Sequence, residues 1–350
     1  VRLVDPFERV PVALSLDDVL LVPQYSDIGS VDEIDVSTNV TRRLRLRIPI
    51  ISSPMDTVTG REMALRLAEL GGLGALPRNM DVREAVAVVE EARSRKLPVA
   101  AAAGPLDDER VKALVDAGVS LIIVDSAHGH SRNVIEATRR YKEYGVDVMS
   151  GNVVTPEGAR ALIDAGADAL RVGIGSGHAC TTREVAGVGV PQLTAIAWVA
   201  SVAREAGVGV VADGGIEKPA HVVKALAAGA DAVMLGYLLA GTDEAPGEVV
   251  EIEGRKYKPY RGMGSRGALA SGSTRYGSFK RVPEGVEGYV ECRGPVSQVV
   301  DLLVNALKQG MGYVGARNLE ELRRKAVFVR ITDMGLYESS PRGMLVTRWL

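Results

Sequence analysis

The chain is poor in several residue types. Its 350 residues include two cysteines, Cys180 and Cys292, two tryptophans and three phenylalanines. Two cysteines far apart in sequence cannot build a disulfide framework, so an aliphatic core must hold the fold, and a reducing compartment is the simpler setting. No apolar run reaches the roughly 18 residues of a membrane span, and no leader-like pattern opens the chain. The expectation is a cytoplasmic protein with no membrane partner. A formal net charge of −2, without blocks of one sign, argues against nucleic acid as a partner. Metal-ligand spacing is missing too. The four histidines (His128, His130, His178, His221) share no helical face with carboxylates, and Ala127-His-Gly-His130 reads as a hydrogen-bonding loop. No G-x-G-x-x-G opens a helix in a βαβ frame, so a dinucleotide would have to lie across loops. Asn and Gln are scarce beside Arg, Glu, Val and Ala, which fits a heat-adapted source.

What the sequence does have is rhythm. Short apolar runs occur at 48–53, 73–76, 99–103, 121–125, 146–150, 169–173, 208–212 and 232–236. Helix-like stretches between them end in glycine: 61–70 before Gly71, 109–117 before Gly118, 156–165 before Gly166 and 220–228 before Gly229. Eight such units predict an α/β fold, a (β/α)8 TIM barrel, in one catalytic domain over residues 1–350. A doubly wound open sheet is the competing reading, disfavoured because no reversal point interrupts the units. Residues 1–47 lack strong periodicity, and Leu16–Pro23 reads as an entry strand or turn. After the eighth run a long polar excursion, 260–295, has the composition of an active-site flap. Helix periodicity returns at 296–308.

In such a barrel the chemistry lies in loops after the strands' C-terminal ends. The sixth loop, Gly173-Ile-Gly-Ser-Gly-His-Ala-Cys180-Thr-Thr-Arg183, is too glycine-rich to pack as core and flanks its thiol with hydroxyls. It reads as a loop presenting a nucleophile. Gly214-Gly215 after the seventh run and Gly236 after the eighth offer bare backbone N–H groups where barrels cradle phosphate, with Asp213 beside them as an acceptor for ribose hydroxyls.

Taken together, the Cys180 loop, Asp125-Ser-Ala-His-Gly-His-Ser131, Ala212-Asp-Gly-Gly-Ile216, Tyr260-Arg-Gly-Met-Gly-Ser265 and Ser53-Pro-Met-Asp-Thr-Val-Thr59 resemble the IMP dehydrogenase/GMP reductase family, from about Leu16 to Arg342. The resemblance implies an NAD-dependent IMP dehydrogenase of guanine nucleotide biosynthesis: the Cys180 thiolate attacks C2 of IMP, hydride leaves to NAD, and water hydrolyses the covalent adduct to XMP. It gives Arg275 and Tyr276, with Thr182 assisting, the activation of that water. It assigns Ser53, Met55, His178, Asp213, Gly214, Gly215, Gly236, Tyr237, Tyr260, Gly262, Met263, Gly264 and Glu284 to the purine nucleotide substrate. Asp125, Ser126, Asn152, Arg171 and Gly173 fall near the nicotinamide or the purine. Potassium (K+) would be held by carbonyls of Gly175, Gly177 and Cys180, completed by Glu338, Ser339 and Ser340 of a neighbouring subunit in a homotetramer.

The chain departs from that family at three places. The paired CBS regulatory module is missing, because the stretch 84–94 runs through Arg95-Lys-Leu97 straight into the third run. His178 and Tyr237 stand where phosphate-binding serines are usual. Two alternatives stay open on the sequence: an NADPH-dependent GMP reductase, opposed by Arg275-Tyr276, and a nucleotide-binding paralogue with an altered phosphate site.

Overall fold

A computed structural model describes residues 10–270 and 282–344. The eight apolar runs form eight short strands: β1 (Ile50–Ser52), β2 (Gly74–Leu76), β3 (Val99–Ala103), β4 (Leu121–Val124), β5 (Val148–Val153), β6 (Ala169–Val172), β7 (Gly209–Asp213) and β8 (Ala232–Leu235). Each pairs in parallel with its chain neighbours from β2 to β8, and β8 returns to pair with β1. A parallel bridge, Ile51 to Leu73, closes the circle, with Ser52 N donating to Leu73 O at 3.0 Å and Leu73 N to Ile50 O at 3.1 Å. The barrel is the predicted one.

Strand side chains alternate between two cores, as a period of two requires. Ile51, Ala75, Ala100, Ala102, Ile123, Met149, Val211 and Met234 fill the barrel. Ile50, Leu76, Ala101, Ile122, Val148, Leu170, Val210 and Val233 face the helices in a larger cluster. Below the barrel, a hairpin of Thr38–Asn39 against Arg45–Leu46 brings Val40, Leu44 and Leu46 into the inner core. That plug passes so close to β7 that a Cβ on Gly209 would lie 1.9 Å from Val40 O. Only glycine fits there.

The surrounding helices are α1 (Arg61–Leu70), α2 (Val82–Ser94), α3 (Asp108–Ala117), α4 (Arg132–Lys142), α5 (Pro156–Asp164), α6 (Gln192–Ala206), α7 (Pro219–Ala227) and α8 (Val296–Val314). Left-handed glycines stop α1 at Gly71 and α3 at Gly118, where φ is 100° and 96°. Asp81 caps α2 by accepting from Arg83 N and Glu84 N, and residues 95–98 alone join α2 to β3.

Two stretches outside the barrel take definite form, the first as an entry turn and strand. The Leu16–Pro23 stretch is a 3-10 turn, Leu16–Asp18, followed by a strand, Val19–Leu21, that pairs antiparallel with Phe328–Arg330 outside the barrel. The segment between β8 and α8, which includes the 260–295 excursion, is partly regular. It contains a three-stranded antiparallel sheet of β9 (Val250–Ile252), β10 (Arg255–Arg261) and β11 (Glu287–Glu291), with a short helix at Arg266–Ala270. These strands leave most side chains in solvent, so their sequence carries little of the apolar alternation that reveals half-buried strands.

Candidate active site

The loops at the C-terminal ends of the strands line one cleft, and Cys180 is among the residues that line it. The Cys180 thiol donates to Thr182 Oγ1 at 3.2 Å, and the Thr182 hydroxyl donates to Glu284 Oε2 at 2.8 Å. Thiol, hydroxyl and carboxylate thus form a continuous hydrogen-bonded chain. Backbone bonds hold it in place. Cys180 N donates to Gly177 O at 3.0 Å, Val286 N to Ala179 O at 3.0 Å, and Glu284 N to Gly264 O at 3.0 Å. Cys180 and Gly285 form an antiparallel bridge. A Cβ on Gly262 would come within 2.6 Å of Ala179 O, so this three-way approach of loops depends on a glycine.

The floor of the cleft is a buried charge network. Arg171, 2% exposed, donates from Nη1 to Asp125 Oδ1 at 2.7 Å and from Nε to Asp213 Oδ2 at 2.9 Å. Asn152 Nδ2 donates to Asp213 Oδ2 at 2.8 Å and to Gly173 O at 2.7 Å. One cation shared between two carboxylates satisfies a desolvated site that a lone ion would make costly. Asn152 Oδ1 is buried with no partner, an open acceptor at the cleft wall.

At the β7–β8 side, Gly214 and Gly215 adopt φ of 92° and 74°, and Gly236 caps a four-residue helix, Tyr237–Ala240. The His178 ring stacks on Tyr237 with centroids 3.9 Å apart and planes at 24°. His178 Nδ1 lies 3.0 Å from Glu217 Oε1, and the Arg293 guanidinium sits 4.5 Å from the Tyr237 ring centroid. The Tyr260 hydroxyl lies beside Gly236, 3.2 Å from where a Cβ there would stand. Burial, reinforced by the charges of Asp213 and Glu217, raises the Tyr260 phenol far above its ordinary range, so it remains a donor.

The cleft is lined by Ser53, Met55, His178, Asp213, Gly214, Gly215, Gly236, Tyr237, Tyr260, Gly262, Met263, Gly264 and Glu284, the whole set assigned to the substrate. Ser126, Asn152, Arg171 and Gly173 line it as well, while Asp125 lies behind Arg171, almost wholly buried. Gly175, Gly177 and Cys180 line it on the sixth loop. Glu338, Ser339 and Ser340 stand apart, at the end of the Asp333–Glu338 helix, and no hydrogen bond among the described residues joins them to that loop. Arg275 and Tyr276 lie outside the described residues. Among the described residues no group of three or more His, Cys, Asp or Glu side chains is placed to hold a metal. Sequence reasoning missed Ser176, Ile216, Met234 and, above all, Glu217. The signal for Glu217 was its place directly after the Asp213-Gly-Gly-Ile turn.

Comparison with known proteins follows this geometry. A family described as the IMP dehydrogenase / GMP reductase domain matches residues 13–342. Inosine-5'-monophosphate dehydrogenase of Aquifex aeolicus is 40% identical over 483 aligned positions, covering 99% of this chain and 98% of the relative. The protein of the same name from Methanocaldococcus jannaschii is 40% identical, with 96% of each chain covered. That from Cryptosporidium parvum is 43% identical over 382 positions, with 95% of each chain covered.

Proposed function

The chain belongs to the IMP dehydrogenase / GMP reductase family, and from that premise we propose that it oxidises IMP to XMP through a covalent bond to Cys180. The observation that carries this reading is the thiol–hydroxyl–carboxylate chain of Cys180, Thr182 and Glu284 inside a cleft walled by glycine loops. NAD, when bound, supplies the acceptor for the hydride that leaves C2 of the purine. The open acceptor Asn152 Oδ1 fits such use of the cleft, because it matches an amide or ring N–H donor of a ligand.

In the reaction, Cys180 Sγ bonds to C2 of the purine after giving its proton to Thr182, whose own proton passes to Glu284. Loss of hydride from C2 leaves a thioimidate on Cys180. Water adds to that carbon and the C–S bond breaks, releasing XMP and restoring the thiol. Arg275 and Tyr276 are assigned to activating this water, a role that calls for a guanidinium packed tightly enough to act as a base. Asp213 keeps Oδ1 available for ribose hydroxyls while Oδ2 holds Arg171 and Asn152. Potassium would be held by carbonyls of Gly175, Gly177 and Cys180, with Glu338, Ser339 and Ser340 of a neighbouring subunit completing the site. The direct junction of α2 to β3 and the longer alignment with the Aquifex relative support a barrel without an inserted CBS module. The active-site flap reading of 260–295, the homotetramer and the cytoplasmic setting belong to the same proposal.

The test is an assay of the purified protein with IMP, NAD and potassium. NADH absorbance rising with stoichiometric XMP is the expected result. NADPH consumption with GMP, and none of the former, would overturn it in favour of the reductase.

A further inference from the structure

We propose that a second cavity, at the opposite end of the barrel from Cys180, binds the phosphate groups of a phosphorylated small molecule between Arg204, Arg323 and Arg324. The inference stands on that cavity and does not depend on the reaction proposed for the cleft.

The cavity lies where β7 and β8 begin, whereas the Cys180 cleft lies where they end. Its walls are the hairpin plug at 39–42, the C-terminal end of α6, the turn from α7 into β8, and a helix, Leu319–Lys325. It encloses about 500 Å³, within the range of roughly 300–1,000 Å³ for small-molecule sites. Four arginines, Arg42, Arg204, Arg323 and Arg324, line it against two carboxylates, Asp231 and Glu320.

Two of those arginines are already held. Arg42 Nη2 donates to Ala206 O at 3.0 Å, at the end of α6, where open carbonyls and the helix dipole favour a cation. Arg323 Nη2 donates to Asp231 Oδ1 at 2.8 Å, and Asp231 Oδ2 accepts from Val210 N at 2.8 Å, so both oxygens of this largely buried carboxylate are taken. The other two are not held. Among the described residues no hydrogen bond or ion pair engages the side chain of Arg204 or Arg324, and exposed Glu320 pairs with none of the four. Arg204 Nη2 lies over the turn into β8, 3.5 Å from where a Cβ on Gly229 would stand. Arg323 Nε is buried without an acceptor. Burial lowers the Arg323 pKa; Asp231 counters it, and the like charge of Arg204 adds to it. The cavity therefore gathers mutually repelling guanidiniums with one carboxylate to hold them.

A phosphate group answers that arrangement. Its oxygens accept from the forked guanidinium donors in pairs, and it brings more negative charge on one centre than a carboxylate does. The volume exceeds what one phosphate fills, and Ala200, Val208 and Val210 give the rest of the molecule an apolar wall.

Calorimetric titration with sodium pyrophosphate, and separately with ADP, tests the site. The proteins are the parent, Arg204→Ala, Arg324→Ala, their double variant, Arg204→Lys, and Arg139→Ala, which removes an exposed arginine of α4 outside the cavity. The parent should bind each compound saturably. Each alanine variant in the cavity should weaken binding roughly tenfold, the lower end for a hydrogen bond to a charged group, and the double variant roughly a hundredfold. Arg204→Lys keeps the charge but loses the fork, and should recover part of the loss. Arg139→Ala should bind as the parent does. Neither Arg204 nor Arg324 bonds to the fold through its side chain, so a weakened affinity reports lost contacts to the anion. ADP binding more tightly than pyrophosphate supports a nucleotide as occupant, and equal binding supports a bare phosphate chain. Absence of saturable binding in the parent, or an equal loss in Arg139→Ala, would overturn the proposal. So would an unchanged affinity in the double variant, which would put the anion elsewhere, such as the Cys180 cleft.

Discussion

At the scale of single residues, the account turns on where protons go. In the described site the Cys180 thiol donates to Thr182 and the Thr182 hydroxyl donates to Glu284, the path the proposed reaction gives the proton. Glu284→Gln keeps an acceptor for the hydroxyl but removes the base. The NADH burst in a rapid-mixing experiment should then slow by a factor on the order of 10², the lower end of what a lost general base costs. An unchanged burst rate would move the base elsewhere. The sequence made Cys180 and its hydroxyl neighbours visible, because a thiol in a glycine-rich loop after an apolar strand has few structural uses. It did not make Glu217 visible. A carboxylate after a glycine turn looks like any solvated residue until the fold brings His178 within 3.0 Å of it, 39 positions away in the chain.

At the scale of elements, the eight strands and their helices were legible because both faces of each strand are buried and each α-helix start or stop has its own chemistry. The antiparallel sheet β9–β11 was not, since its strands leave most side chains in solvent and so carry little apolar alternation. Nor was the way the N-terminal turn is tied to α7. Glu217 N donates to His221 Nδ1 at 3.2 Å, which leaves His221 Nε2 to donate to Asp17 Oδ1 at 2.9 Å. Lys218 reaches the same carboxylate. Burial pushes the Asp17 carboxyl up, but the bonds and charges of His221 and Lys218 outweigh it and hold it below the usual carboxylate range. A folded value below the unfolded one contributes stability above the unfolded pKa, about 4, that fades as pH falls through the folded value. Asp17→Asn should therefore cost up to about 1 kcal/mol in urea unfolding at pH 7, allowing for partial exposure. Below about pH 4 the gap between variant and parent should close. A gap that widens on acidification would contradict the assigned direction.

At the scale of the whole molecule, the barrel interior is packed, yet large apolar side chains stay exposed away from the cleft. Tyr25, Tyr313, Val327, Val329, Met334 and Tyr337 lie on or near the N-terminal segment, the end of α8 and the Phe328–Arg330 strand with the helix after it. Such concentrations mark contact surfaces. They support the proposed homotetramer, in which Glu338 would reach a neighbour's Cys180 loop. Light scattering at assay concentration should give four times the mass of one chain, 37.1 kDa. A fully active monomer would rule out a cation site shared between subunits.

The central claim is the covalent bond between Cys180 and the purine, and intact-mass spectrometry of the protein quenched during turnover with IMP and NAD tests it most directly. The account predicts a species heavier by one oxidised nucleotide, mapped to the peptide containing Cys180. That species should be absent from Cys180→Ala, which should still bind IMP while producing no NADH. Sustained NADH and XMP production by Cys180→Ala, or an adduct on any other residue, would contradict it.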